Sequence, residues 1–462
     1  MKKQLSLILV ICMMISLLAA CGTDGKAPAG TTEGQTEQTQ PTAATQAVQT
    51  TLPELSQDAV IEETVLVDEE NVKITATALN YGRHGAEVEL LIENNSEKNL
   101  SFICESLGYS ANAINGFMAE DGYLNSEVAA GKKARETVSF SNQMMTLYGI
   151  REIADIELGF DISDEDYNHF YTGPRQLRTS AFEAHDYSTD YFQASITDPA
   201  IQQAVRFQLP WFSTDTIYDE NGIRVCAAGL MVNKNEEQFL MLELENNTNQ
   251  TVTVEASDVI FNGLAVYDYS CGYITLTPGN RGLLDVELSA VFEPDRRELF
   301  GVREIGSVGL SLRQSEQGGE EISPKIPIRM QMSENVEAID LSGTEVLNAD
   351  GLRIISKGIV EDSSSYSKDL HALLLVENNT GAPIRVDEQY ESLSVNGMMT
   401  DDYFQGTLIE NGMSGVVDIT LEERSLEKNK IAAPEDVTEL EIGIEVWQER
   451  DIVSEQTLHI TY

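Results

Sequence analysis

The chain has 462 residues, of which 42% are hydrophobic and 23% charged, enough apolar material for sizeable cores and too much for wholesale disorder. Its 30 Lys and Arg stand against 76 Asp and Glu, a net charge of −46 that excludes nucleic acid or an anionic membrane face as a partner held by charge. At about 150 residues per domain, this length accommodates roughly three domains.

Lys2 and Lys3 precede an apolar run over residues 5–20, broken only by Ser6 and Ser16. As a helix this run would reach about 24 Å, short of the ~30 Å hydrocarbon core of a bilayer. A charged start, a short apolar stretch and small residues at its end describe a secretory signal peptide over residues 1–20. The boundary itself reads Leu18-Ala19-Ala20-Cys21-Gly22. This resembles the lipobox of bacterial lipoproteins. The resemblance implies cleavage just before Cys21 and attachment of a diacylglycerol to its thiol. The chain would then sit on the extracytoplasmic face of the cell membrane, in an envelope of the Gram-positive type. Cleavage discards Cys12, Lys2 and Lys3 and no acidic residue, so lipid and not charge makes the membrane contact.

Residues 21–57 hold the acylated cysteine and then a stretch rich in Thr, Gln, Ala, Gly and Pro, with almost no large apolar side chain before Leu52. Such a segment cannot bury enough to offset its chain entropy. It reads as a flexible tether with a coil-like reach of roughly 35 Å.

Beyond the tether the chain repeats itself three times. A strand start recurs at Asn71-Val72-Lys73-Ile74, Gly222-Ile223-Arg224-Val225 and Gly351-Leu352-Arg353-Ile354. An apolar run then closes on Glu-Asn-Asn, at Asn94-Asn95, Asn246-Asn247 and Asn378-Asn379. Asn-Gly follows at Asn115-Gly116, Asn262-Gly263 and Asn396-Gly397, and a turn glycine at Gly131, Gly279 and Gly412. Three residues before that glycine stands an apolar residue each time: Val128, Leu276 and Ile409. Copies of this length are domains and not stacked solenoid units.

The segments within each copy are β-like. Val88, Leu90 and Ile92 alternate with Glu89 and Glu93, and Ile274 and Leu276 with Thr275 and Thr277. Asn-Gly supplies a type I′ hairpin turn, a position where Asp should serve as well as Asn. The pattern predicts a mainly β protein of antiparallel sandwiches, over residues 58–180, 213–333 and 338–462, each with enough strands to fold by itself. This organisation resembles the tandem immunoglobulin-like domains of bacterial surface lipoproteins, without the Cys–Trp–Cys arrangement of antibody domains. Residues 181–212 form an extension or linker, the largest departure from the repeat. It carries Asp186-Tyr187-Ser188-Thr189-Asp190-Tyr191-Phe192, and a short helix is predicted to start at Pro199.

Catalytic and cofactor motifs are missing. The histidines are His84, His169, His185, His371 and His459, none spaced i, i+4 for zinc. Ser365-Tyr366-Ser367-Lys368 and Ser425-Leu426-Glu427-Lys428 match S-x-x-K without the companion segments that would make it a catalytic signature. Asp161, Asp164 and Asp166 are weak candidates for Ca²⁺, read first as a solvated acidic turn. Cys226 and Cys271 are the same-domain pair that an exported protein could bridge. Their sister positions, Thr75 and Ile355 or Tyr123 and Phe404, argue for two buried thiols instead. The sequence thus points to a lipid-anchored surface protein, a non-catalytic binding or spacer array without a cofactor; it does not name the ligand, for which a protein and a cell-envelope glycan are the candidates. The alternatives are an exported enzyme with a loop-built site and a solute-binding lipoprotein of a transporter.

Overall fold

The structure, a computed structural model, describes residues 54–104, 111–316, 319–361 and 367–462. The signal peptide, the lipobox residues Leu18, Ala19, Ala20, Cys21 and Gly22, most of the tether, Ser365 and Tyr366 lie outside the described residues. The last residues assigned to the tether are held: Ser56 N–H donates to the Arg151 carbonyl at 2.7 Å.

The described chain is mainly β, arranged in several open sheets. Three times, two long strands pair antiparallel: Val72–Gly82 with Gly85–Asn94, Ile223–Asn233 with Gln238–Asn246, and Leu352–Glu361 with Leu370–Asn378. A shorter strand flanks each pair on one side (Thr64–Glu69, Tyr218–Glu220, Thr344–Ala349). On the other side lies Lys133–Ser141, Arg281–Glu287 or Ser414–Leu421. Glu70-Asn71, Asn221-Gly222 and Asp350-Gly351 make the turn before each long pair, all six residues at positive φ. Along Gly85–Asn94 the side chains of Ala86, Val88, Leu90 and Ile92 point inward, as a period of two requires. Burying each larger one stabilises the fold by about 1.5–3 kcal/mol. Thr275 and Thr277 break the expectation of a polar outer face: both are buried, Thr275 against Thr253 (3.1 Å) and Thr277 beside Glu157 of the first repeat (3.3 Å).

Two asparagines per repeat fasten the sheets. The first is the Glu-Asn-Asn residue, fully buried in all three copies. Asn94 Nδ2 donates to the carbonyls of Lys98 and Val128, both at 2.8 Å. Asn246 does the same to Gln250 and Leu276 at 2.8 and 2.9 Å, and Asn378 to Ala382 and Ile409 at 2.8 Å each. The carbonyl acceptors Val128, Leu276 and Ile409 are the apolar residues that recur three positions before the turn glycine. That recurrence is therefore one hydrogen bond written three times. The second fastener is the asparagine of Asn-Gly, with φ of 52° in every copy and the glycine at 74° to 89°, the conformation of a type I′ turn. Asn262 Nδ2 also donates to the Glu304 carbonyl (2.8 Å), and its Oδ1 accepts from Gly306 and Ser307 N–H, both at 2.9 Å. Asp lacks the donor, so the expected equivalence of Asn and Asp at this turn does not hold.

The repeats are not separate. The strand after each of the first two Asn-Gly turns runs into the next copy: Phe117 pairs in parallel with Arg281, and Leu264 and Ala265 pair in parallel with Ser414 and Gly415. Sheets therefore continue from first to second and from second to third repeat. The middle core takes Ala113 and Met118 from one neighbour and Leu373, Leu375 and Val416 from the other. The equivalent residues of the third copy, Met398 and Met399, are 53% and 61% exposed. Phe207–Ser213, assigned in part to the extension, pairs with Ile223–Asn233 and belongs to the second repeat's sheet.

Candidate functional site

The departure from the repeat builds a pocket. After a short 3₁₀ turn, Phe182–Ala184, the extension forms two helices, Tyr191–Ile196 and Pro199–Val205. Asp190 caps the first by accepting from Gln193 N–H at 2.9 Å, and Asp198 caps the second by accepting from Ala200 N–H at 2.8 Å. Pro199 occupies the first helical turn as the sequence predicts. The pair docks on the helix Asn142–Leu147 of the first repeat, where Ser195 Oγ donates to the Thr146 carbonyl at 2.7 Å. Phe192 packs on Phe117, with ring centroids 5.3 Å apart, and Phe117 on Tyr148 at 4.6 Å.

Between the first repeat, the extension and the second repeat lies a pocket of about 380 Å³. Phe117, Tyr148 and Phe192 line it, together with a half-buried aromatic group in which His185 lies between Tyr187 (4.6 Å) and Tyr191 (5.2 Å). Its charged lining comes from all three parts: Arg151 and Glu152 from the first repeat, Asp186 and Asp190 from the extension, and Glu245 and Arg281 from the second repeat. Arg281 is shared among carboxylates, with Asp190 at 2.5 Å, Glu245 at 3.6 Å and Glu243 at 3.7 Å. Glu243 is 1% exposed and accepts from Gln193 Nε2 at 2.8 Å. Burial, and then the charge of Asp190, push its carboxyl up to about 8. Burial likewise raises Glu157, which accepts from Asn280 at 2.6 Å across the same joint. Burial and the Asp155 carboxylate push the Tyr187 phenol well above its ordinary value, and burial holds the His185 imidazole below its own.

The other residues singled out in the sequence have structural surroundings. Asp161 meets His169 Nδ1 at 2.9 Å, while Asp164 and Asp166 share Lys98 at 2.5 and 3.1 Å. Asp164 also accepts from the N–H groups of Asp166 and Asn168, and the Lys98 contact leads these in holding its carboxyl far below the usual range. Among the described residues no group of three or more His, Cys, Asp or Glu has the geometry to hold a metal ion. Cys226 and Cys271 are buried, unbridged thiols, pushed up chiefly by burial to about 11 and about 12. Cys226 is the bulged residue of its strand pair, two positions earlier than the bulges at Thr77 and Lys357 in the sister copies. Ser425 is buried in the helix Glu423–Lys428 and accepts from Asp401 N–H at 3.0 Å, while Lys428 is exposed near the Asp401 carboxylate. No helix among the described residues is long and apolar enough to cross a membrane.

The extension was visible in the sequence; its partners across the joint were not. One signal could have found Glu243. It stands three residues before the buried asparagine, where the sister copies carry Leu91 and Leu375. A carboxylate at a position that is apolar in both sisters marks a local requirement.

No family model matches the chain, and no curated protein matches it. Among solved structures, it is similar to a protein of unknown function from Porphyromonas gingivalis W83, at 13% identity over 49% of this chain and 91% of that one, with a TM-score of 0.15. An ice-binding bacterial adhesin aligns at 9% identity over 81% and 90% of the two chains, TM-score 0.13. An exo-chitosanase of Amycolatopsis orientalis aligns at 6% identity over 87% and 78%, TM-score 0.17. At such scores none of them bears on fold or function.

Proposed function

We propose that this chain is a lipid-anchored, extracytoplasmic binding protein without catalytic activity. In this reading three immunoglobulin-like repeats, held off the membrane by the tether, present the pocket at the joint between the first two. The observation that carries the reading is the pocket's place: it forms where the repeat pattern breaks, and the extension adds His185, Asp186, Tyr187, Asp190, Tyr191 and Phe192 to landmark residues that the other copies share. A spacer would need no such departure. The pocket's carboxylates favour binding over chemistry because two of them already hold local structure. Asp190 caps a helix and pairs with Arg281, and Asp186 accepts from Ser188 and Thr189. The lipobox and the apolar run before it support the anchor.

Two measurements test this. Metabolic labelling with a clickable fatty acid should mark the protein, and Cys21→Ser should abolish the label. Binding of the full chain to cell-envelope fractions should be lost in the double variant Tyr187→Ala, Tyr191→Ala and kept in Tyr390→Ala, which alters an exposed tyrosine of the third repeat. Unchanged binding in the pocket variant would move the site elsewhere.

A further inference from the structure

We infer, building on the pocket as the ligand site, that its ligand presents an organic cation: a primary amine or guanidinium on a short flexible stem, the size of a lysine or arginine side chain. The inference rests on a deficit of positive charge at a place that has room for it. Four carboxylates line the pocket, those of Glu152, Asp186, Asp190 and Glu245, against the guanidiniums of Arg151 and Arg281. Glu245 is met by Arg224 at 2.6 Å, but Arg281 is left shared between Asp190 and the buried Glu243, so the remaining carboxylates still outnumber the guanidiniums.

Glu243 makes the deficit explicit. Its side chain is buried in the joint against the Asp190 carboxyl, and no protein donor among the described residues reaches its Oε1. A carboxylate in that position is stable only with a nearby cation or with a proton of its own. Burial and the adjoining Asp190 carboxylate, with one shared guanidinium 3.7 Å away, hold its carboxyl well above the ordinary carboxylate range. A cation entering beside Asp190 and Arg281 supplies the missing charge, and Glu243 then releases its proton. The rest of the lining suits the stem of such a ligand. The surfaces of Tyr187 and Tyr191 not covered by the intervening His185 attract a cation through the ring quadrupole and cover methylene groups. The His185 imidazole, held below its ordinary value by burial, is neutral and does not repel the cation at pH 7. A neutral ligand leaves the deficit in place. An anion would add to it, against a chain of net charge −46.

Calorimetric titration of the full chain with three capped amino acids of similar length tests the charge directly: capped lysine, capped norleucine and capped glutamate. The expected order is lysine at least tenfold tighter than norleucine, with no binding of glutamate. In buffers of different ionisation enthalpy, lysine binding at pH 7 should release a proton, and its affinity should rise between pH 6 and pH 8.5. Asp190→Asn keeps the helix cap and removes one charge; it should weaken lysine at least tenfold and leave norleucine unchanged. Cadaverine is the second arm: tighter binding of the free diamine identifies a soluble amine, and tighter binding of capped lysine a side chain of a protein or peptide. Norleucine or glutamate binding as well as lysine would overturn the cationic ligand. If no probe binds while the Tyr187→Ala, Tyr191→Ala variant still loses the envelope fractions, the cation fails and the pocket stands. If the variant loses nothing either, the pocket itself is refuted.

Discussion

Replacing Asn246 by Asp exchanges one NH₂ group for an oxygen in a site of nearly identical shape, so its cost isolates the fastening hydrogen bonds. Asn246 Nδ2 donates to the Gln250 carbonyl at 2.8 Å and to the Leu276 carbonyl at 2.9 Å, while its Oδ1 accepts from Thr248 N–H and Oγ1 at 2.9 and 2.7 Å. The carboxylate keeps the second pair of bonds and loses the first. Two carbonyls then face an oxygen that cannot donate, at about 1–3 kcal/mol for each acceptor left without a partner. Charge burial adds to this until the new carboxyl takes up a proton. The expected loss at pH 7 is therefore at least about 2–6 kcal/mol, a large part of a stability of ~5–15 kcal/mol. Asn249→Asp, three residues away and exposed, should change stability by less than about 0.5 kcal/mol. Urea unfolding of the full chain, followed by the fluorescence of Trp211 in a Trp447→Phe background, reads the second repeat. The penalty should shrink below pH 5, because a protonated carboxyl donates one of the two missing bonds. Asn94→Asp and Asn378→Asp should behave alike, since their distances are the same to within 0.1 Å. An Asn246→Asp protein within 0.5 kcal/mol of the parent at pH 7 would refute the fastener.

Glycines should separate strain from crowding. Gly263→Val places a β-branched residue at a φ of 89° with open space around it and should cost about 1–3 kcal/mol through the backbone alone. Gly282→Ala has no such φ, but its Cβ would fall 2.5 Å from Ile274 Cδ1 and 3.0 Å from Met118 Cγ, so it should loosen the joint between the first two repeats, read as faster hydrogen exchange at Phe117. Burial and the Asp190 carboxylate hold the Glu243 carboxyl well above its ordinary ~4.5 in the folded chain, so the folded state binds more protons than the unfolded one as pH rises past that value. Stability should fall as pH rises from 5 to 8.5. The Glu120, Asp285 and Asp402 carboxyls, likewise raised by burial, share that slope, so Glu243→Gln should reduce it by one group's part, and an unchanged slope would place the titration elsewhere. Arg296 of the second repeat donates to Asp418 Oδ2 and meets His371 Nε2, both at 2.9 Å in the third, so Arg296→Met strands buried polar groups. It should cost about 3 kcal/mol in urea unfolding followed by Trp447, where an effect under 0.5 kcal/mol would remove the pair from the joint.

The sequence by itself determined the β class, the threefold pattern and the location of its break. Each follows from local chemistry: alternation at period two marks strands, Asn-Gly tolerates positive φ at both turn positions, and residues 181–212 lack the recurring landmarks. The Glu-Asn-Asn and Val128, Leu276 and Ile409 landmarks were likewise legible as a coincidence of spacing. Their meaning was not, because a carboxamide bond spanning about thirty residues leaves no local trace. Tertiary structure alone decided that the copies share sheets. The parallel pairing of Phe117 with Arg281 joins residues more than 160 positions apart, and neither strand's pattern names its partner. The same holds for the pocket. Its aromatic and acidic run stands openly in the extension, but Glu243 and Arg281 read as ordinary strand residues until the chain folds back. Only the packed joint excludes water from that carboxylate, and exclusion of water is what changes its chemistry.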